Sequence, residues 1–76
     1  MKLTAKEREE LPNEAFGLPA ERKFPLIDPT HVRSAEAYFH TCPPEKRREL
    51  AENIYKAILK FDLPFSKSDE WYAYID

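Results

Sequence analysis

Hydrophobic positions recur with helical spacing most clearly late in the chain. Leu50, Ile54, Ala57, Ile58 and Phe61 fall at i, i+4, i+7, i+8 and i+11, which places all five on one face of a helix. Glu45 lies in the expected first turn and Lys56 and Lys60 near the end, matching the sign of the helix dipole at each terminus. The pattern predicts a helix from Pro43 or Pro44 to about Phe61. Upstream, Asp28-Pro29 is a helix start: aspartate caps free backbone N–H groups, and proline at the first helical position lacks a donor that would be unpaired anyway. Val32, Ala35 and Phe39 then form one apolar stripe with Tyr38 beside it, predicting a helix from Pro29 to about His40. Thr41-Cys42-Pro43-Pro44 separates the two helices, because two prolines forbid a continuous one.

The N-terminal third has weaker patterning. Thr4 and Glu7 have capping-box spacing, and the helix they start should stop near Glu10 or Leu11, because the residue before Pro12 avoids the α region. Leu3 and Leu11 are its strong apolar anchors, so it reads as a surface helix docked at two points. Asn13 to Lys23 reads as a loop pinned by Phe16, Leu18 and Pro19. Phe24, Leu26 and Ile27 form a dense apolar run interrupted by Pro25. Proline removes a ladder donor and two strands alone are marginal, so an extended strap rather than a sheet is expected. After Phe61, Asp62-Leu63-Pro64-Phe65 turns the chain away. Ser68 reads as the cap of a short helix or turn reaching Tyr74. Trp71, Tyr72, Tyr74 and Ile75 are bulky enough that one or two should fold back onto the helices.

These elements describe one small all-α domain over residues 1–76: an N-terminal helix and strap (1–28), a helical hairpin (29–61) and an aromatic tail (62–76). The expected core is Phe16, Leu18, Phe24, Leu26, Ile27, Val32, Ala35, Phe39, Leu50, Ile54, Ala57, Ile58, Phe61 and Trp71. With 76 residues there is room for one domain, and such a chain buries only about 60% of its unfolded surface. The single cysteine, Cys42, offers no internal disulfide. One glycine stands against seven prolines, so the turns should rely on proline stiffness.

Charge narrows the function. Charged residues make up 34% of the chain, yet the net charge is −2, without the basic excess usual in nucleic-acid binders. No apolar run approaches the ~18 residues of a membrane span, and MKLTAKEREEL lacks the apolar core of a secretory signal. A reducing compartment, the cytoplasm, is the expected setting. His31, His40 and Cys42 are the soft metal ligands, but His31 starts a helix that the other two follow, so they do not converge as a zinc site requires. Cys42 beside His40 has no recognisable third group or oxyanion donor around it. No catalytic, metal or cofactor residue is therefore assigned, and no cofactor is expected.

The candidate binding residues are two basic groups and the aromatic tail. Arg22, Lys23 and Arg33 form one group and Lys46, Arg47 and Arg48 the other. The second opens a helix after a turn, the position from which a helix-turn-helix reader contacts DNA, but Glu45, Glu49 and Glu52 interleave with it as on a solvated face. Arg22 or Lys23 has a structural alternative, pairing with Asp28 or another carboxylate. Trp71, Tyr72 and Tyr74 are of types enriched in interface hot spots, with core closure as the competing role.

The run LPNEAFGLPAERKFPLIDPTHVRSA, through Leu11, Pro12, Phe16, Pro19, Arg22, Lys23, Phe24, Pro25, Asp28, His31, Arg33 and Ala35, resembles a short module of unknown function from phage- and prophage-associated proteins. Ser34 stands where that module usually has asparagine, and the inter-helix turn lacks its glycine. The resemblance implies a phage or mobile-element setting and carries no activity. The leading expectation is a non-enzymatic protein-interaction module acting in virion assembly or on a host protein, in the host cytoplasm or on the virion. The alternative is a small nucleic-acid-binding domain using Arg33, Lys46, Arg47 and Arg48.

Overall fold

A computed structural model describes residues 4–75. The expected anchor Leu3 lies outside them. Thr4 caps the first helix, α1 (Ala5–Glu10), through a complete capping box: its hydroxyl accepts from the Glu7 N–H and its own N–H donates to the Glu7 carboxylate. A 3-10 turn, Asn13–Ala15, leads into a hairpin of β1 (Phe16–Leu18) and β2 (Lys23–Pro25). Helix α2 (Pro29–Ala37) and helix α3 (Arg47–Phe61) follow, and a 3-10 turn at Glu70–Tyr74 closes the chain.

The all-α expectation is overturned by this hairpin, whose strands pair antiparallel with Phe16 opposite Pro25 and Leu18 opposite Lys23. The Leu26 N–H donates to the Ala15 carbonyl at 2.7 Å, one residue outside the Phe16–Pro25 pair. That pair is therefore of the non-hydrogen-bonded kind, and the donorless nitrogen of Pro25 faces away from β1, where a proline removes nothing from the ladder. Two short strands are marginal alone, but β1 rests on α3 and β2 on α2. Phe16, Gly17 and Leu18 are all buried, and the Asn53 side-chain amide donates to the Gly17 carbonyl at 2.8 Å.

Gly17, the only glycine, is there for closeness and not for a left-handed turn. A Cβ at this position would stand 2.4 Å from Leu50 Cδ1 and 3.3 Å from Phe24 Cβ. The left-handed conformations fall instead on Arg22, Phe24 and Asp62. Asp62 ends α3 in a Schellman motif, with its own N–H on the Leu59 carbonyl and the Leu63 N–H on the Ile58 carbonyl at 2.9 Å. Aspartate tolerates this region better than most residues, although glycine is the usual occupant.

The helices follow the expected starts with shorter α-helical bodies. Asp28 caps α2 through the His31 N–H at 2.8 Å, but α2 stops at Ala37, and Phe39–Thr41 continues as a 3-10 turn. The second helix opens as a 3-10 turn, Pro44–Lys46, before becoming α-helical at Arg47. Asp69, rather than Ser68, precedes the last turn, and its side chain instead accepts the Ser66 N–H.

One core joins the helices to the tail. Leu18, Val32, Phe39, Leu50, Ile54, Ile58 and Trp71 form a single buried cluster with Ala35, Ala51, Ala57 and Cys42. Phe24, Leu26 and Phe61 are only partly buried against it, and Ile27 is also half-buried. Ala51 and Cys42 also belong to the core, although neither is among its expected members, and Cys42, expected to be half-buried between the helices, is fully buried. No helix among the described residues is long and apolar enough to cross a membrane.

Candidate partner-binding face

Most of the side chains that sequence reasoning offered to a partner are engaged inside the molecule. Arg22, left-handed at the end of the hairpin loop, reaches back over the Phe16 ring at 4.6 Å. Its guanidinium donates to the Asn13 side-chain oxygen and to the carbonyls of Arg8 and Leu11 at 2.6–3.0 Å. Arg8 returns the contact, donating to the Arg22 carbonyl at 2.6 Å. The two arginines clamp α1 to the hairpin. The structural alternative for Arg22 is thus realised on backbone carbonyls and an asparagine, not on Asp28.

Arg33 pairs with Glu36 at 2.9 Å and donates to the Pro64 carbonyl at 3.1 Å. The other Glu36 oxygen accepts the Trp71 indole N–H at 3.0 Å, so one carboxylate ties α2 to the buried tryptophan. Lys46 pairs with Glu21 at 2.9 Å, a contact that holds the glutamate below and the lysine above its usual pKa. Arg47 turns inward, donating to the Cys42 carbonyl at 2.9 Å and the His40 carbonyl at 3.1 Å, and lies beside the Tyr74 hydroxyl, which raises its pKa. Arg48 is exposed in the first turn of α3.

Trp71 is buried, while Tyr72 and Tyr74 are half-buried. Tyr74 leans on Phe39 with ring centroids 5.5 Å apart. Tyr72 belongs to a second aromatic cluster, stacked on Phe65 at 5.6 Å and meeting Tyr55 edge-on at 6.3 Å. The tail therefore closes the core first, with Phe65 and Tyr72 at its outer margin.

His31, His40 and Cys42 do not come together, and no group of three possible metal-ligating side chains occurs among the described residues. The His31 ring is fixed by Asp28 at 2.8 Å. The Asp28 carboxyl is held below its usual pKa by the His31 backbone N–H and, secondarily, by the ring. Cys42 is buried and its thiol is pushed up by that burial, the opposite of what activates a nucleophile.

An open groove of about 310 Å³ lies between β2 and α2. Phe24, Pro25, Ala35 and Tyr38 supply its apolar surface, with Arg8, Lys23 and His31 along it. Tyr38 is 61% exposed, the largest value among the big apolar side chains described. It caps α2 where the helix breaks, which turns it off the buried stripe of Val32 and Ala35. Phe24 has φ 60°, an unusual conformation for a bulky residue, and such strain costs on the order of 1–3 kcal/mol. Phe24 thus lines the groove in a strained conformation while packing partly against the core. A larger depression of about 360 Å³, between Leu11, Leu26 and α3, carries both signs of charge through Glu14, Lys56 and Lys60.

Of the expected site residues, only Lys23 lies on the open groove. Tyr38 and Phe24 were read as a flank and as core. The available signal was the position of Tyr38 beside, rather than on, the helical stripe. No family model matches the chain, and neither a curated protein nor a solved structure is significantly similar to it.

Proposed function

We propose that this chain is a non-enzymatic protein-interaction module whose docking surface is the groove between β2 and α2. The observation that carries the reading is the placement of Tyr38 and Phe24. A tyrosine more than half exposed and an aromatic held in a strained conformation line the same recess. Strained residues persist where surrounding structure forces them, and they cluster at ligand-contacting positions. Tyrosine supplies large contact area at small entropic cost.

The resemblance of the strap to phage-associated modules points to a virion component or a host protein as the partner, met in the host cytoplasm or on the virion. The nucleic-acid reading draws less support, because Lys46 is ion-paired with Glu21 and the Arg47 guanidinium is turned inward onto backbone carbonyls, away from a duplex. A photo-crosslinking amino acid placed at Tyr38 tests the proposal, with the same group at exposed Glu52 as control. Specific protein adducts from position 38 and not from 52 are expected in cells carrying the chain in its native setting. Equal adducts from both positions, or adducts to nucleic acid, would contradict it.

A further inference from the structure

The charge along the groove runs against that of the whole molecule. The chain carries a net −2, yet the residues lining this groove include Arg8 and Lys23 and no carboxylate. Arg8 is bonded to the neutral carbonyl of Arg22, so its charge is not cancelled there. Lys23 is exposed and makes no hydrogen bond or ion pair within the described residues. The nearby Glu21 is held by Lys46 at 2.9 Å. Asp28 is the acidic group behind the His31 ring, which it orients. The groove thus combines apolar contact from Phe24, Ala35 and Tyr38 with two cations that form no ion pair, and its lining holds no carboxylate, although Glu21 lies near enough on the other side of Lys23 to feel its charge.

Resting on the proposal that this groove docks a protein, we infer that the segment it takes is acidic: a short stretch in which carboxylates flank a bulky apolar residue. The apolar residue lies against Phe24 and Tyr38, and the carboxylates meet Lys23 and Arg8. Complementary charge of this kind fixes register and speeds encounter, and it rejects basic segments by like-charge repulsion.

Selection from a random linear peptide library on the intact protein tests both levels. The expected consensus has Asp or Glu on either side of an aromatic or aliphatic residue. Binding of the enriched peptides should weaken about three- to tenfold in Lys23→Glu, weaken with added salt, and be lost in Tyr38→Ala. Both substitutions are at exposed positions, so circular dichroism should be unchanged. Enriched peptides that are neutral or basic but still need Tyr38 would overturn the acidic assignment and leave the groove as the docking site. An absence of enrichment, or enrichment indifferent to Tyr38→Ala, would overturn both.

Discussion

The helical pair and the N-terminal strap are held by different physics. Between α2, α3 and the tail, adhesion comes from burial: Val32, Phe39, Leu50 and Ile54 are fully excluded from solvent and Trp71 is 1% exposed. The strap, from α1 to β2, hangs on α3 through Phe16, Gly17 and Leu18, while α1 has no buried residue. What joins α1 to the hairpin is the Arg22 and Arg8 pair, through bonds to carbonyls and to Asn13. Burial gives the helices cooperativity. Polar fastening gives the strap definition at little stability, and the strap carries the strained Phe24 at the groove. The groove lies where the two regions meet, with Lys23, Phe24 and Pro25 from the strap and Ser34, Ala35 and Tyr38 from α2 and its cap.

The comparison breaks most severely at Trp71. Trp71→Ala removes the largest buried side chain and leaves Glu36 without its indole donor, a loss of about 3–5 kcal/mol. That approaches the whole stability of so small a domain, and thermal melting should show little cooperative transition. Trp71→Phe keeps most of the packing and should retain one.

Gly17→Ala attacks the seam between the regions. The added methyl meets Leu50, which is fully buried and cannot swing into solvent, so overpacking of about 1–3 kcal/mol is expected. Chemical denaturation should show a lowered midpoint with an unchanged slope. A neutral result would mean that the hairpin lies further from α3.

Arg22→Ala sharpens the distinction. Global stability should fall by no more than about 1 kcal/mol, while limited proteolysis within α1 becomes much faster. Acid acts through the caps. Asp28 and Glu7 both accept backbone N–H bonds that lower their pKa, so each contributes in full above the ordinary carboxylate range near 4. Each contribution fades as pH falls below that range and through the lower folded value. Asp28→Ala should cost about 1 kcal/mol at neutral pH and progressively less in acid, read by denaturation at several pH values. The smallest effect belongs to Asp62→Gly, which relieves a left-handed aspartate and should stabilise by about 0.5 kcal/mol, a small rise in melting temperature.

The sequence disclosed the buried half far better than the strap. Apolar spacing from Leu50 to Phe61 located α3, and Asp28-Pro29 and Thr4 with Glu7 located two helix starts, because caps and periodicity are local signals. The return of Trp71 was readable because so large an apolar group rarely stays in water. The hairpin was hidden by Pro25, whose missing donor is harmless only in the register that the strand adopts. Phe24 and Arg22 were opaque for a related reason: their left-handed backbones have no glycine to announce them. The arginine clamp rests on contacts from Arg22 back to Arg8, Leu11 and Asn13 that leave no periodic trace. Within the basic groups, charge alone does not tell an exposed cation such as Lys23 from one folded onto carbonyls such as Arg47.

Native-state amide hydrogen exchange, followed residue by residue in the wild type and in Arg22→Ala, tests this division most directly. Amides of α3 should exchange only through global unfolding and be nearly unaltered by the substitution. Those of α1 should open at much lower free energy and lose most of their remaining protection in Arg22→Ala. Equal protection across α1 and α3, or a loss shared by both helices when Arg22 is removed, would contradict the account.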